Sequence, residues 1–276
     1  MEMPRPPRRR RRRAVLAGLA LFAAAIGVFA VLYETAGSHE VSLSSALQQF
    51  RHSVRHLGSG AAPGRPAEGV YEYTGSGTES LSLPPKTQYE GPGIPATVVD
   101  GRHGCWTLRQ DFSDNHWQFT TFCPSGRDVM EAARGGWYRW DFVATTVSDE
   151  STLYCRPFEV AFPASARPGQ TYRFSCRGGN HPLDLGPVTL AGTTRYLGTV
   201  RVRIGHESVE AVHMSEVGSF SGGQTGTETV DTLYDRANGL PLEATWSEHV
   251  NTRTPVGVST LSAVGRFRLT SLSARS

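Results

Sequence analysis

The sequence predicts a mainly β protein with an N-terminal transmembrane helix, a short amphipathic helix and one large antiparallel β domain. Three observations predict this arrangement. They are an uncharged apolar stretch near the N terminus, a short segment with helical spacing of apolar residues, and about 200 residues of strand-like runs. The sequence leaves open whether the β domain is a sandwich, a barrel or a strongly curved sheet.

An apolar segment follows a run of six arginines at the N terminus. Residues 14–32 carry no charge over nineteen positions, which is about 28 Å of helix and matches the hydrocarbon thickness of a bilayer. We therefore predict a basic cytoplasmic tail at residues 1–13 and a transmembrane helix at 14–33. Basic residues beside a span stay in the cytoplasm, so the main domain is predicted to be extracytoplasmic and the protein a single-pass signal-anchor protein of the cell membrane. A cleaved signal peptide is the alternative, although its apolar region is usually shorter.

The charge of the chain is distributed unevenly. Residues 1–33 hold seven arginines and Glu2, a net +6, and since the whole chain carries +3 the remainder carries −3. A nucleic-acid-binding domain would carry a basic face, so we predict no nucleic-acid partner. The predicted membrane partner is the lipid bilayer, through residues 14–33.

Residues 34–57 are predicted to form a juxtamembrane spacer and an amphipathic helix. Ser42 is the predicted N-cap, and apolar residues recur at spacings of three and four on one face of residues 42–57. They are Leu43, Leu47, Phe50, Val54 and Leu57. This apolar face indicates a helix that packs on the domain or lies at the membrane surface. The alternative is a coiled-coil contact between two chains. Residues 58–68 are rich in Gly and Pro and are predicted to be a linker.

Residues 69–276 are predicted to form one extracytoplasmic all-β domain. Short runs rich in Val, Thr, Tyr, Phe and Trp alternate with turn residues, and only residues 128–134 suggest another helical turn. The predicted strands are residues 70–74, 96–99, 105–112, 116–123, 137–145, 152–162, 171–176, 196–204, 208–217, 227–234, 242–249 and 256–269. A domain of this size can bury a substantial core unaided.

Four cysteines in an extracytoplasmic domain predict two disulfides. Folding the chain back at residues 113–115 places Cys105 opposite Cys123, and folding it back at residues 163–168 places Cys155 opposite Cys176. The first pairing puts Trp106 on the face opposite to Trp117, which requires a bulge or a hairpin buried on both faces. A zinc site would use closer spacing than the gaps of 18, 32 and 21 residues, so none is predicted.

The sequence contains no motif that predicts a catalytic residue, a metal site or a cofactor. The residue His213 has the same strand parity as Val209 and is interpreted as a hydrogen-bonded core histidine. Asp231 and Asp235 are its candidate partners, and a ligand or proton-handling role is the alternative. Four of the five tryptophans lie close together in sequence, which indicates either a two-sided core or a platform for a lipid or glycan. These candidate ligand-binding residues are Trp106, Trp117, Trp137 and Trp140.

The hairpin at residues 234–242, with its Asp-Arg-Ala-Asn-Gly-Leu-Pro turn, resembles the β domains of LolA/LppX-type lipid carriers. In that family a curved antiparallel sheet cups an acyl chain, which implies a hydrophobic ligand here. The chain departs from the family because it lacks a lipobox cysteine, carries the predicted anchor and adds four cysteines. It otherwise resembles bacterial membrane-anchored envelope proteins, and no binding residue is carried over.

The function predicted from these features is non-enzymatic. We predict a membrane-anchored binding protein for a hydrophobic or cell-envelope ligand or for a protein partner. The alternatives are an envelope hydrolase with dispersed catalytic residues, and a structural or assembly factor of the envelope.

Overall fold

The computed structural model describes residues 38–53, 64–142, 145–181, 186–254 and 257–276. The predicted basic tail, the predicted transmembrane helix and residues 58–63 of the predicted linker lie outside the described residues. In the described ranges, no helix has the length and apolar character needed to cross a bilayer.

The chain divides into two compact units, and the larger one comprises residues 38–140 and 148–276. Of the smaller unit, the structure describes residues 141, 142 and 145–147. In this part, Phe142 and Thr145 exchange backbone hydrogen bonds of 2.8 and 3.3 Å, and the hydroxyl of Thr146 donates to Asp141 at 2.7 Å.

The described elements are one α-helix, one 3₁₀ turn and thirteen strands. The helix, α1, is Leu43–Ser53, and the 3₁₀ turn is Arg102–Gly104. The strands are β1 (Gly69–Ser82), β2 (Pro85–Glu90), β3 (Gly93–Asp100), β4 (Trp106–Ser113), β5 (His116–Ser125), β6 (Asp128–Asp141), β7 (Thr146–Phe162), β8 (Thr171–His181), β9 (Val188–Ile204), β10 (Glu207–Gly222), β11 (Gln224–Asp235), β12 (Pro241–Thr254) and β13 (Gly257–Leu269).

All strands belong to one antiparallel sheet that closes on itself as a barrel. Each strand from β3 to β13 pairs with its neighbour in sequence, and β13 pairs with β1 from Tyr73↔Leu269 to Leu81↔Leu261. The opposite edge of β1 pairs first with β3 and then with β2, so these two strands occupy one strand position. Of the three architectures left open by the sequence, the structure has the barrel.

One part of the barrel interior is lined by apolar side chains, and another part is lined by polar and charged side chains. Inward-facing aromatic and aliphatic side chains from β1, β3, β4, β12 and β13 form the main core, with Tyr73, Ile94, Phe112 and Leu242 almost completely buried. Another part of the interior is polar, and it buries Glu79 of β1, Gln88 and Glu90 of β2, and His116 of β5. Burying ionisable groups is unfavourable unless they are paired, so the contacts of these groups determine what the interior can bind.

Helix α1 begins where the sequence predicts it. The hydroxyl of Ser42 accepts a hydrogen bond from the amide of Ser45 at 3.1 Å, which is the N-cap geometry. The helix buries Ala46 and Phe50 against Val70 on the outer face of the sheet. The predicted amphipathic helix is confirmed over Leu43–Ser53, and residues 54–57 lie outside the described residues.

Two predictions of secondary structure are wrong. Residues 128–134 are part of β6 rather than a helical turn, because pairing with β5, from Ser125↔Asp128 onwards, overrides the helix propensity of Met, Glu and Ala. Strand β2 was not predicted because its inward-facing residues, which include Lys86 and Glu90, are polar, so the segment lacks the alternation of apolar and polar residues that indicates a strand.

The structure contains both disulfides expected from the hairpin registers. The Cα atoms of Cys105 and Cys123 are 4.0 Å apart, and those of Cys155 and Cys176 are 3.8 Å apart. The two faces of the first hairpin differ, as its register requires. Trp106, Leu108 and Phe112 are buried in the core, whereas Trp117 and Phe119 lie half-buried on the outer face beside α1. A bulge lies between Asp111 and Ser113.

Candidate functional site

A groove of about 310 Å³ lies between α1 and the outer face of β3, β4 and β5. One wall is the helix and the floor is the sheet. Its lining consists of Gln49, Phe50, Ser53, Thr97, Val99, Thr107, Arg109, Asp111, Trp117 and Phe119. The strand alternation of β5 explains the aromatic floor, because His116 faces the interior while Trp117 and Phe119 face outward.

A charged pair lies at the floor of the groove. The guanidinium of Arg109 stacks 4.3 Å from the ring centre of Trp117, and its Nε and Nη2 atoms each approach Asp111 Oδ1 at 2.9 Å. The Asp111 side chain is 7% exposed, whereas the Arg109 side chain is 41% exposed. Burial raises the pKa of Asp111, although Arg109 and His116 oppose the shift. Arg109 therefore presents the accessible charge.

A second feature lies in the interior, where His116 sits between two glutamates. Its Nδ1 atom hydrogen-bonds Glu90 Oε1 and lies 2.9 Å from Glu79 Oε1. The imidazole ring is stacked between Phe112 and Tyr138, with ring centres 4.9 and 4.1 Å away. The cluster is positioned by the consecutive strands β1 and β2 and by β5, which lies further along the chain.

The electrostatics of the His116 cluster follow from burial and mutual charge. Burial alone would lower the pKa of His116, but the two carboxylates raise it to about 10. Burial raises the pKa of Glu90 to about 7, whereas the charge and hydrogen bonds of His116 bring the pKa of Glu79 below its usual value despite burial. Burial and the charge of Glu79 also raise the pKa of Glu248 to about 7.

Elsewhere in the interior, four carboxylates surround Arg134. The guanidinium lies 2.8 Å from Glu159, 2.7 Å from Glu216 and 3.0 Å from Glu228. It also donates to Glu131 through Nε. Cys155 and Cys176 lie beside this cluster, but their sulfurs form a disulfide and are therefore not available as thiolate metal ligands.

The predicted site residues are placed at separate positions. Trp106 is in the core, stacked 4.3 Å from Phe122, and Trp140 is buried. Trp117 and Trp137 are cross-strand neighbours, and of the candidate tryptophans Trp117 lines the groove. The imidazole of His213 is 32% exposed and lies 3.5 Å from Asp231, so the expected pairing with Asp231 is present, but at the surface rather than in the core.

Glu79, Glu90, His116 and Arg134 were not among the site residues predicted from the sequence. Each lies in a strand where an isolated charge looks like a solvent-facing residue, and no motif spacing connects them. One signal was present: Glu79 has the same strand parity as Tyr71 and Tyr73, which are buried. An acidic residue on the inward face of a strand indicates a partnered buried charge.

No family model and no curated protein matches this chain. Solved structures that the chain matches include the following two. The hypothetical lipoprotein YmcC from Escherichia coli is 12% identical, with a TM-score of 0.36, and the match covers 84% of this chain and 99% of that one. A proposed lipoprotein from Parabacteroides distasonis is 9% identical, with a TM-score of 0.34, and covers 77% and 99%. At these values neither structure bears on function, and the resemblance to LolA/LppX-type carriers stays a prediction.

Proposed function

We propose that this protein is a non-enzymatic, membrane-anchored extracytoplasmic binding protein that holds the apolar chain of an acidic envelope amphiphile. The observation that carries the proposal is the groove between α1 and β3–β5, with Trp117 and Phe119 on its floor. Partly exposed aromatic side chains on a sheet face, next to a covering helix, form an apolar surface that water solvates poorly.

The size of the groove favours a chain over a whole lipid. Ligand pockets in proteins measure about 300–1,000 Å³, and this groove of about 310 Å³ is at the lower end. Phe50, Val99, Trp117 and Phe119 supply its apolar contacts. The ligand therefore places one acyl chain, or an apolar group of similar size, against these side chains.

The charge in the groove favours an acidic head group. The Arg109 guanidinium is the more exposed member of its pair with Asp111, so it can donate further hydrogen bonds to an anion. Asp111 keeps the guanidinium in place over Trp117.

The predicted anchor keeps the groove close to lipid. Nine residues separate the predicted transmembrane helix at 14–33 from the start of α1 at Leu43. Fully extended, nine residues span about 30 Å, so the predicted tether is short. A site tethered so close to the membrane encounters lipid-derived amphiphiles at high local concentration.

The test is photo-crosslinking with a diazirine-bearing fatty acid in membranes that contain the 276-residue chain. Peptide mass spectrometry is expected to place the crosslinks on α1 and β5. Trp117→Ala removes a large apolar contact, and we expect labelling to require about tenfold more probe. Arg109→Gln is expected to weaken labelling by the acid more than labelling by its methyl ester.

Tyr154→Ala provides the control, because Tyr154 is an aromatic residue that is 59% exposed on the sheet but is not part of the groove. Labelling of this variant should equal that of the unmodified chain. If the label is spread over exposed aromatic residues, or is unchanged by Trp117→Ala, the groove is not the ligand site.

A further inference from the structure

Three potential metal-ligand atoms converge in the barrel interior. The Nδ1 atom of His116, Oε1 of Glu79 and Oε1 of Glu90 lie within 4.8 Å of one another. All three side chains are at most 1% exposed. An imidazole nitrogen with two carboxylate oxygens is a ligand set that binds divalent transition metals.

The hydrogen bonds within the cluster do not satisfy its buried atoms. Nδ1 of His116 has one proton for two carboxylate oxygens, Oε1 of Glu90 and Oε1 of Glu79, the latter 2.9 Å away. Within the described part of the chain, Glu90 Oε2 and His116 Nε2 are buried without a hydrogen-bond partner. Buried polar atoms normally have partners, so two unpartnered atoms in one buried cluster are consistent with a bound ion or ligand in the functional state.

The charges around the cluster also favour a cation. Glu248 adds a further, partly buried carboxyl near Glu79 and His116. The cluster and this neighbour thus place three carboxyl groups around one imidazole. Buried negative charge that is not balanced is unfavourable, and a divalent ion balances it directly.

The surroundings hold the ligands in place. Gln88 Nε2 donates to the second oxygen of Glu79 at 2.7 Å, as outer-sphere residues do at metal sites. Gly77 makes room for Glu90, since a Cβ at this position would lie 2.0 Å from Glu90 Oε2. Phe112 and Tyr138 fix the plane of the imidazole.

The spacing of the ligand atoms fits a small ion after a small adjustment. Ligands at about 2.0–2.1 Å from a tetrahedral Zn²⁺ are roughly 3.3 Å apart. Nδ1 and Glu79 Oε1 are 2.9 Å apart, so side-chain shifts below about 1 Å open the site. We propose that His116, Glu79 and Glu90 form a binding site for a divalent transition-metal ion, with Zn²⁺ as the representative ion. This site is independent of the groove.

The test measures Zn²⁺ binding to the 276-residue chain after removal of metals with a chelator. Equilibrium dialysis with elemental analysis is expected to give one tightly held Zn²⁺ per chain. His116→Gln and Glu90→Gln should each weaken the affinity by at least about 100-fold, and Gln88→Ala by about 10–100-fold. Co²⁺ should compete for the site and give the visible absorption of a nitrogen- and oxygen-ligated ion.

His213→Gln is the matched control, because His213 also lies beside a carboxylate, Asp231, but at the surface. Its Zn²⁺ affinity should equal that of the unmodified chain. Circular dichroism checks the fold of each variant, and Glu90→Gln preserves side-chain volume in case His116→Gln does not fold. The proposal is overturned if the chain binds no Zn²⁺ tightly, or if His213→Gln lowers the affinity while Glu90→Gln does not.

Discussion

Arg134 and Glu216 form a two-pronged ion pair within the barrel, with Nη1–Oε1 and Nη2–Oε2 distances of 2.7 and 3.1 Å. The geometry fixes the guanidinium plane, so that Nε reaches Glu131 and Nη2 reaches Glu159. One cation thereby links β6, β7, β10 and β11. Because Glu159 and Glu216 are mostly buried, Arg134 holds together carboxylates that would otherwise repel each other.

We predict that Arg134→Met destabilises the protein strongly. Removal of the cation leaves four neighbouring carboxyls unbalanced in a poorly solvated site, and breaking a buried ion pair costs about 3–5 kcal/mol. Urea denaturation measures the change. Arg236→Met is the control, since its pair with Glu210 is half exposed and is worth roughly 0–1 kcal/mol. Equal effects of the two substitutions would contradict this interpretation.

A second prediction concerns pH, with metals removed by EDTA. Burial raises the pKa of Glu90 and Glu248 to about 7 and that of Glu131 to about 6. The folded state then binds more protons than the unfolded state above about pH 4.5, so stability falls as pH rises through this window. The pKa of His116, raised to about 10 by Glu79 and Glu90, acts in the same direction, since its contribution is complete below about pH 6.5 and is lost towards pH 10.

The free energy of unfolding in urea is therefore expected to be higher at pH 5 than at pH 8. Below about pH 4.5 the trend reverses, because the pKa values of Glu79 and Glu216 are lowered, in spite of burial, by His116 and Arg134 respectively. Glu248→Gln removes one raised carboxyl and should stabilise the protein at pH 8 by on the order of 1–3 kcal/mol. A maximum of stability at pH 8 would refute the assignment of the buried carboxyls.

The fold was largely predictable because most strands keep an apolar inward face. The predicted turn at residues 113–115 gave the correct pairing of Cys105 with Cys123, although the structure reaches it with a two-residue turn at 114–115 and a bulge between Asp111 and Ser113. The same reasoning gave the pairing of Cys155 with Cys176. Barrel closure was not predictable, because the pairing of β1 with β13 joins the ends of the domain and no local pattern encodes it. Strand β2 escaped prediction for a related reason, since its inward residue Glu90 pairs with His116, which lies 26 residues further along the chain.

The candidate sites were predictable only in part. Trp117 was identified from the aromatic composition of its hairpin, but the groove also requires α1 to pack on the outer face, which sequence periodicity does not locate. His116 was overlooked because its partners Glu79 and Glu90 precede it by 37 and 26 residues, on strands that meet only in the folded sheet. Clusters of this kind depend on tertiary contacts and leave no spacing signature.

A third prediction concerns the order in which the disulfides are reduced. Cys155 and Cys176 are completely buried, whereas Cys105 is partly exposed and Cys123 is 7% exposed. Dithiothreitol applied under native conditions should therefore reduce Cys105–Cys123 first, because a thiolate must reach a sulfur to attack it. Alkylation followed by peptide mass spectrometry measures the order. Simultaneous reduction of both disulfides without denaturant would show that the burial of Cys155 and Cys176 does not protect them.

The last prediction links the cap of α1 to the wall of the groove. The Ser42 hydroxyl satisfies the amide of Ser45, an N-terminal amide with no partner inside the helix. Ser42→Ala is therefore expected to destabilise α1 by about 1 kcal/mol. Amide hydrogen exchange in α1 should accelerate by about fivefold, while the amides of the barrel strands keep their protection from exchange.

Ser53→Ala is the control on the same helix. Its hydroxyl donates to the carbonyl of Gln49 at 2.9 Å and caps no free amide, so its loss should leave the exchange of α1 almost unchanged. Because α1 carries Phe50 and forms one wall of the groove, Ser42→Ala should also weaken fatty-acid labelling. If labelling is unchanged although the exchange of α1 accelerates, the helix does not take part in ligand binding. Measuring exchange and labelling on the same variant therefore tests whether the packed helix is part of the ligand site.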